Sequence, residues 1–300
     1  MNEKYHIYLP LWPKFSWTEE EKASLPVAFK DRFDSFDGDL PVTRLESWRA
    51  FHEFVEDSRF RNDEFIFRGQ QRSNWDLIPS LARGKVGGVF TPEQSMQCLD
   101  SFRRASRGRK EFDPMLDDDL EMWALGQHHG LKTPLLDWTL SPYVALFFAF
   151  EKPDIDSPSA SDSRVVFALN KSRVEARIRE LKQESYKDDQ VVRIYQPAGD
   201  SNRRLLSQAG LFLAVPPNES VTGWILTNFG GQFDDEADLS QIIMKVHIPN
   251  EEREECLRSL HRMNIHHASL FPDLIGSSAY TNFEFDVYRQ NIVLPAGAGI

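Results

Sequence analysis

The chain has 300 residues, 41% of them hydrophobic, with 46 acidic and 35 basic side chains and a formal net charge of −11. That balance suits a globular protein with ample core material, and it excludes nucleic-acid binding through a broad basic surface while leaving room for a local basic groove. The two cysteines, Cys98 and Cys256, stand far apart with no metal-ligand spacing, which fits a reducing compartment.

The start, MNEKYHIYLPLWPKF, lacks a basic stretch followed by an apolar core, and no apolar run is long enough to span a membrane. A soluble, cytoplasmic protein with no membrane partner is therefore expected. Residues 1–42 carry aromatics and prolines without periodicity and are expected to form an irregular extension over the main body. Thr43-Arg44-Leu45-Glu46 has the capping-box pattern, and Leu45, Trp48, Phe51, Phe54 and Val55 follow at helical spacing. A helix from about 44 to 57 is predicted. Phe65-Ile66-Phe67 reads as a short buried strand ending in Arg68 and Gly69.

Thr91-Pro92-Glu93-Gln94 opens the next helix, with Thr91 as cap and Pro92 in the first helical position. Met96, Leu99 and Phe102 give it an apolar stripe. It runs into the basic cluster Arg103 to Lys110, which the helix dipole favours at a C-terminus; a solvated helix end is the plain reading and a docked phosphate the sharper one. Leu120 to Leu125 continues as helix into Gln127-His128-His129-Gly130. After Asp137-Trp138-Thr139-Leu140, Ser141-Pro142 starts a helix whose body, Tyr143 to Phe150, is apolar all round and so buried on every side.

Residues 152–163 read as a mobile Pro/Ser/Asp loop. A strand at 164–169 and a charged surface helix at 171–187 follow, then strands at 191–195, 210–215 and 241–248. Asn250 is expected to cap a helix with Cys256, Leu257, Leu260 and Met263 on its inner face. No internal repeat is visible. Helices first and scattered strands later argue for the α+β class, with residues 43–290 as one domain and 291–300 as a tail.

Two segments place polar residues at the edge of strongly apolar stretches, which packing alone does not require: Phe67-Arg68-Gly69-Gln70 and Gln127 to Phe150. An arginine ending a buried strand needs a partner, and an anionic ligand is one option. The other option is that Arg68 ties the strand end to a carboxylate such as Asp137. Asp137 has a plain role as a turn residue, and Ser141 is fully explained as a helix cap. His128-His129 and His266-His267 lack a third ligand at metal spacing and read as structural pairs. Gln208 stands in a loop before a strand, where packing does not account for it. Clustered carboxylates of the kind a metal-dependent nuclease needs are missing.

These residues resemble the FRG domain family, named for the Phe-Arg-Gly motif found at Phe67-Arg68-Gly69. The resemblance takes in Trp75, Pro79 to Arg83, Gln127 to Gly130, Leu135 to Thr139, Ser141-Pro142, Ala145 to Ala149, Arg204 with Gln208 to Phe212, and Leu270 to Leu274, over roughly residues 43–280. Pro134 stands where the family commonly has arginine, and His129 where tyrosine is frequent.

A more distant similarity links the order of these elements to ADP-ribosyltransferases, and it implies an ADP-ribosyltransferase-like split β-sheet core surrounded by helices. It further implies NAD as substrate, with Arg68 on the phosphates, and Gln70, Gln127, Thr139 and Ser141 lining the pocket. Trp138 or Tyr143 would stack on the nicotinamide, Gln208 would meet the ribose, and Asp137 would orient Arg68. Gln208 carries no charge to stabilise a developing cation, so Asp137 or His128 is the alternative catalytic group. The implied activity is transfer of ADP-ribose to RNA, DNA or protein by a bacterial toxin or phage-defence effector, with an antitoxin or regulatory protein as a further partner. The competing expectation is a non-catalytic sensor or interaction module that binds a nucleotide-like ligand in the same pocket.

Overall fold

The computed structural model describes residues 40–57, 60, 65–109, 118–153, 163–197, 203–229, 239 and 241–286. Residues 1–39, Lys110, most of 152–163 and the 291–300 tail lie outside that description, and with them the expected extension, loop and tail. The described residues form an α+β fold around one mixed sheet of seven strands. In chain order the strands are β1 (Val42–Arg44), β2 (Phe65–Gln70), β3 (Leu135–Thr139), β4 (Ser163–Asn170), β5 (Arg193–Tyr195), β6 (Gly210–Ala214) and β7 (Ile243–Pro249). They lie side by side in the order β1-β7-β4-β2-β3-β6-β5. Only the β1–β7 edge pair is parallel. Between the strands run helices α1 (Ala50–Val55), α2 (Pro92–Ser106), α3 (Asp119–His128), α4 (Pro142–Phe150), α5 (Lys171–Gln183), α6 (Arg203–Ser207), α7 (Val221–Phe229), α8 (Arg253–Arg262), α9 (His267–Leu270) and α10 (Leu274–Glu284).

Strand alternation sorts the core into two faces. Phe65, Phe67, Val166, Ala168, Met244 and Val246 point toward α4 and α8, while Ile66, Trp138, Phe167, Leu169, Leu211 and Leu213 pack with α5 and α7. A third cluster joins α2 and α3 to Leu135, Phe212 and Ala214. α4 is the central helix: six of its nine residues are buried, and each large one contributes on the order of 1.5–3 kcal/mol of burial. Ser141 caps its start by accepting from the Val144 N–H at 3.3 Å. Its C-terminal carbonyls would be orphaned inside the protein, and two arginines take them. Arg164, fully buried, donates to Ala149 O at 2.6 Å and Lys152 O at 3.0 Å. Arg253 donates to Phe150 O at 2.8 Å and also to Glu151 O.

Four local expectations are corrected. Thr43 does not cap a helix: Val42, Thr43 and Arg44 are buried in β1 and pair with Lys245, Val246 and His247. The helix begins only at Ala50, with no side-chain cap; edge pairing outweighs the local capping pattern. Asp137 to Thr139 is not a turn but the end of β3, whose five residues all pair with β6. Asn250 is not a cap either, since α8 starts after Glu252, which is left-handed at φ 59° and makes no capping hydrogen bond. Met96 and Met263, expected inside, are 61% and 53% exposed, because Leu99 alone carries the buried side of early α2 and Met263 lies past the last turn of α8. The Thr91 capping box is present, with Gln94 as its second member. Arg103 at the end of α2 is ion-paired with Asp119 at 2.6 Å.

A cleft where two strands part

The site originates in a seam of the sheet. β2 pairs with β4 along all six of its residues, and β3 pairs with β6 along all five. Between β2 and β3, however, Phe67–Thr139 is the single paired position. Continuing the ladder would set Arg68 opposite Trp138 and Gly69 opposite Asp137, and those pairs do not form. In their place the Arg68 guanidinium enters the seam, with Nη1 donating to the Asp137 carbonyl at 2.6 Å. A side chain thus occupies an acceptor that a strand would otherwise satisfy.

Gly69 fixes the opposite wall. It faces α4, and a Cβ placed there would lie 1.9 Å from Ala145 O and 2.7 Å from Ala149 N. Only a glycine lets the helix rest directly on the strand, with Ala145 and Ala149 as its small contact residues. The Phe-Arg-Gly order therefore has a physical content: Phe67 is core, Arg68 is held in the seam, and Gly69 seats the helix that closes the first face.

The seam opens into a cavity of about 670 Å³, within the usual range for small-molecule sites. Of the residues expected at a site, Arg68, Gln70, Gln127, His128, Asp137, Trp138, Thr139 and Gln208 line it. Ser141 and Tyr143 do not. Ser141 is spent on the α4 cap, and Tyr143 is bonded through its hydroxyl to His52 Nδ1 and packed edge-on against Phe51. Trp138 is only 2% exposed and packs in the core cluster of that face, so its ring is not laid open to the cavity for stacking. Trp75, which also lines the cavity, is 47% exposed and does offer a ring, with the Arg72 guanidinium set over it at 5.7 Å.

Hydrogen bonds lock most of this wall. Gln127 Nε2 donates to Asp137 Oδ1 at 2.7 Å, and Gln127 Oε1 accepts from Thr133 Oγ1. Asp137 Oδ2 lies 3.9 Å from Arg68 Nη1, with the carboxylate side chain 65% exposed toward solvent. Thr139 Oγ1 donates to Gln208 O at 2.6 Å and accepts from the Ser141 N–H at 3.0 Å, which joins β3 to both α4 and the turn before β6. The Gln208 amide is itself engaged, since Nε2 donates to Leu270 O at 3.1 Å. Gln208 therefore has a packing role that the sequence did not disclose.

Three buried polar atoms of the wall have no hydrogen-bond partner among the described residues: Arg68 Nε, Gln70 Oε1 and Trp138 Nε1. Buried polar groups are nearly always satisfied, and each left open costs on the order of 1–3 kcal/mol. Burial lowers the Arg68 pKa from its ordinary value, Asp137 opposes that, and Arg83 adds to it. His128 is likewise held below the usual imidazole value, by burial first and then by His129 and Arg204, with Asp273 opposing. Four cationic residues (Arg68, Arg83, Lys152, Arg204) and three carboxylates (Asp76, Asp137, Glu151) line the cleft, so its wall is locally positive in a chain whose net charge is −11.

Sequence reasoning assigned no chemistry to Trp75, Arg83 or Arg204, although each stands in a segment that carried the family resemblance. Among the described residues no group of three His, Cys, Asp or Glu side chains is placed to hold a metal ion. No helix among them is long and apolar enough to cross a membrane. No curated protein and no solved structure matches the chain. Residues 63–157 match the model of the FRG domain, a span that contains β2, α2, α3, β3, α4 and the whole cleft wall apart from Arg204, Leu205, Gln208 and Phe212. The chain carries an FRG domain.

Proposed function

We propose that the cleft binds NAD and that the protein transfers ADP-ribose from it to a macromolecular acceptor. One observation supports this reading above the others: a positively lined cavity of nucleotide size surrounds three unsatisfied buried polar atoms, on Arg68, Gln70 and Trp138. Buried donors and an acceptor without partners on one cavity wall are matched by a ligand that has phosphate oxygens, an amide and hydroxyls. Arg68 binds the diphosphate, Trp75 supplies the exposed ring for a base, and Gln70 accepts from an amide or hydroxyl.

In the proposed reaction the bond from ribose C1′ to the nicotinamide nitrogen breaks, and the electron pair leaves with neutral nicotinamide. The acceptor nucleophile forms the new bond to C1′ and gives its proton to Asp137. Asp137 suits both tasks: it is the wall carboxylate that Gln127 and Arg68 orient, and its charge stabilises the positive character that builds on the ribose. With NAD labelled in its adenylate half and RNA, DNA and protein offered separately, one acceptor class should become labelled. Asp137→Asn should slow that transfer about 100-fold or more while NAD still binds. Unchanged transfer in this variant would remove Asp137 from the chemistry.

A second reading has its own support in Gln208, whose side-chain amide is committed to Leu270 O and has no charge to offer. On that reading the domain is a sensor that binds NAD without turning it over. Saturable NAD binding with no label on any acceptor and no nicotinamide released is its signature.

A further inference from the structure

Arg83 stands on the cleft wall with Arg68, and neither the motif nor the hydrogen-bond network of the seam accounts for it. Arg83 is exposed; its Nε donates to Ile78 O at 3.4 Å, and among the described residues no carboxylate pairs with it. Arg68 has Asp137 at 3.9 Å, whereas Arg83 has no carboxylate partner among the described residues. Two guanidiniums that line one cavity repel each other, and Arg83 adds to burial in lowering the Arg68 pKa, with Asp137 opposing. Arg204 is placed differently: it stacks over Phe271 at 4.2 Å and acts on His128 instead of Arg68.

We propose that Arg83 is a second phosphate-binding residue and that the Arg68–Arg83 pair makes the site selective for a diphosphate over a monophosphate. This deepens the NAD reading and rests on it for the location of the site, but it concerns the charge of the ligand and not its cleavage. A guanidinium binds phosphate oxygens through two parallel N–H donors, so two of them on one cavity wall match two linked phosphates.

The test uses adenosine, AMP, ADP and ADP-ribose as probes, titrated by calorimetry into the full chain. Affinity should rise along adenosine, AMP and ADP, with ADP at least about tenfold tighter than AMP, the step that one added charged hydrogen-bonding group gives. Arg83→Gln should erase the ADP-over-AMP step and leave AMP binding nearly unchanged. Without ligand, Arg83→Gln should melt no lower than the wild type, because it relieves a repulsion; a purely structural arginine would lower the melting temperature instead. Arg103→Gln removes a cation outside the cleft and serves as the control for net charge. Equal affinities for AMP and ADP, or an ADP step that survives Arg83→Gln, would overturn the proposal. If NAD fails to bind or to turn over while the ADP step is present and lost in Arg83→Gln, the NAD reading fails and the diphosphate site stands.

Discussion

Gly69→Ala is expected to lose more than about 4 kcal/mol of stability, enough to leave little soluble folded protein. The added methyl would sit 1.9 Å from the Ala145 carbonyl oxygen and 2.7 Å from the Ala149 nitrogen. Both are backbone atoms of α4, so no side-chain rotamer can relieve the clash. The helix must lift off the strand, which opens the core that Phe67, Phe147 and Phe150 share. Gly84→Ala gives the contrast. There the added Cβ meets nothing within 4 Å, and the cost is that of a non-glycine residue at φ +76°, about 1 kcal/mol. Soluble yield and thermal unfolding of the two variants measure this directly. A Gly69→Ala protein that melts close to the wild type would mean that α4 does not rest on β2 as described.

Arg68→Ala should weaken NAD binding by at least about 30-fold, which corresponds to about 2 kcal/mol. The side chain is only 12% exposed, its Nε has no partner, and its Nη1 bridges to the Asp137 carbonyl across the seam. Arg68→Lys should recover little of the loss. A lysine keeps the charge but has neither the Nε donor nor the fork that reaches the carbonyl and a phosphate together. Calorimetry separates the outcomes, with the thermal midpoint of each variant as the check on folding. Full rescue by lysine would show that the site reads charge alone, and it would remove the case for bidentate phosphate binding.

Much of this architecture is legible in the sequence where the signal is local. Ser141-Pro142 ahead of an all-apolar segment specifies α4 because cap, proline and burial agree. Thr91 to Gln94 specifies the start of α2 in the same way. What escapes is decided at a distance. Val42 to Arg44 reads as a helix cap locally and becomes a strand because β7 lies alongside it. Leu135 to Thr139 contains an aspartate and a threonine that suggest a turn, yet β6 pairs with every residue of it.

The candidate site divides along the same line. Arg68, Asp137 and Gln127 stand out in sequence as polar residues bordering apolar runs, and the fold brings all three within one hydrogen-bonded unit. Tyr143 and Trp138 stand out equally as aromatic residues, but helix phase turns Tyr143 toward His52 and the core buries Trp138. Arg83 and Arg204 look like ordinary surface cations until the chain folds. Their place on the cleft wall depends on where β2 and β3 part company, and no local pattern encodes a missing strand pair.

The structure of the protein bound to NAD tests the central claim most directly. The diphosphate should lie within hydrogen-bond distance of Arg68, with Nε now donating to it, and a ring of the dinucleotide should stack on Trp75. Gln70 Oε1 and Trp138 Nε1 should each have gained a partner. NAD seated away from the β2–β3 seam, or a cleft still empty at millimolar NAD, would contradict the account.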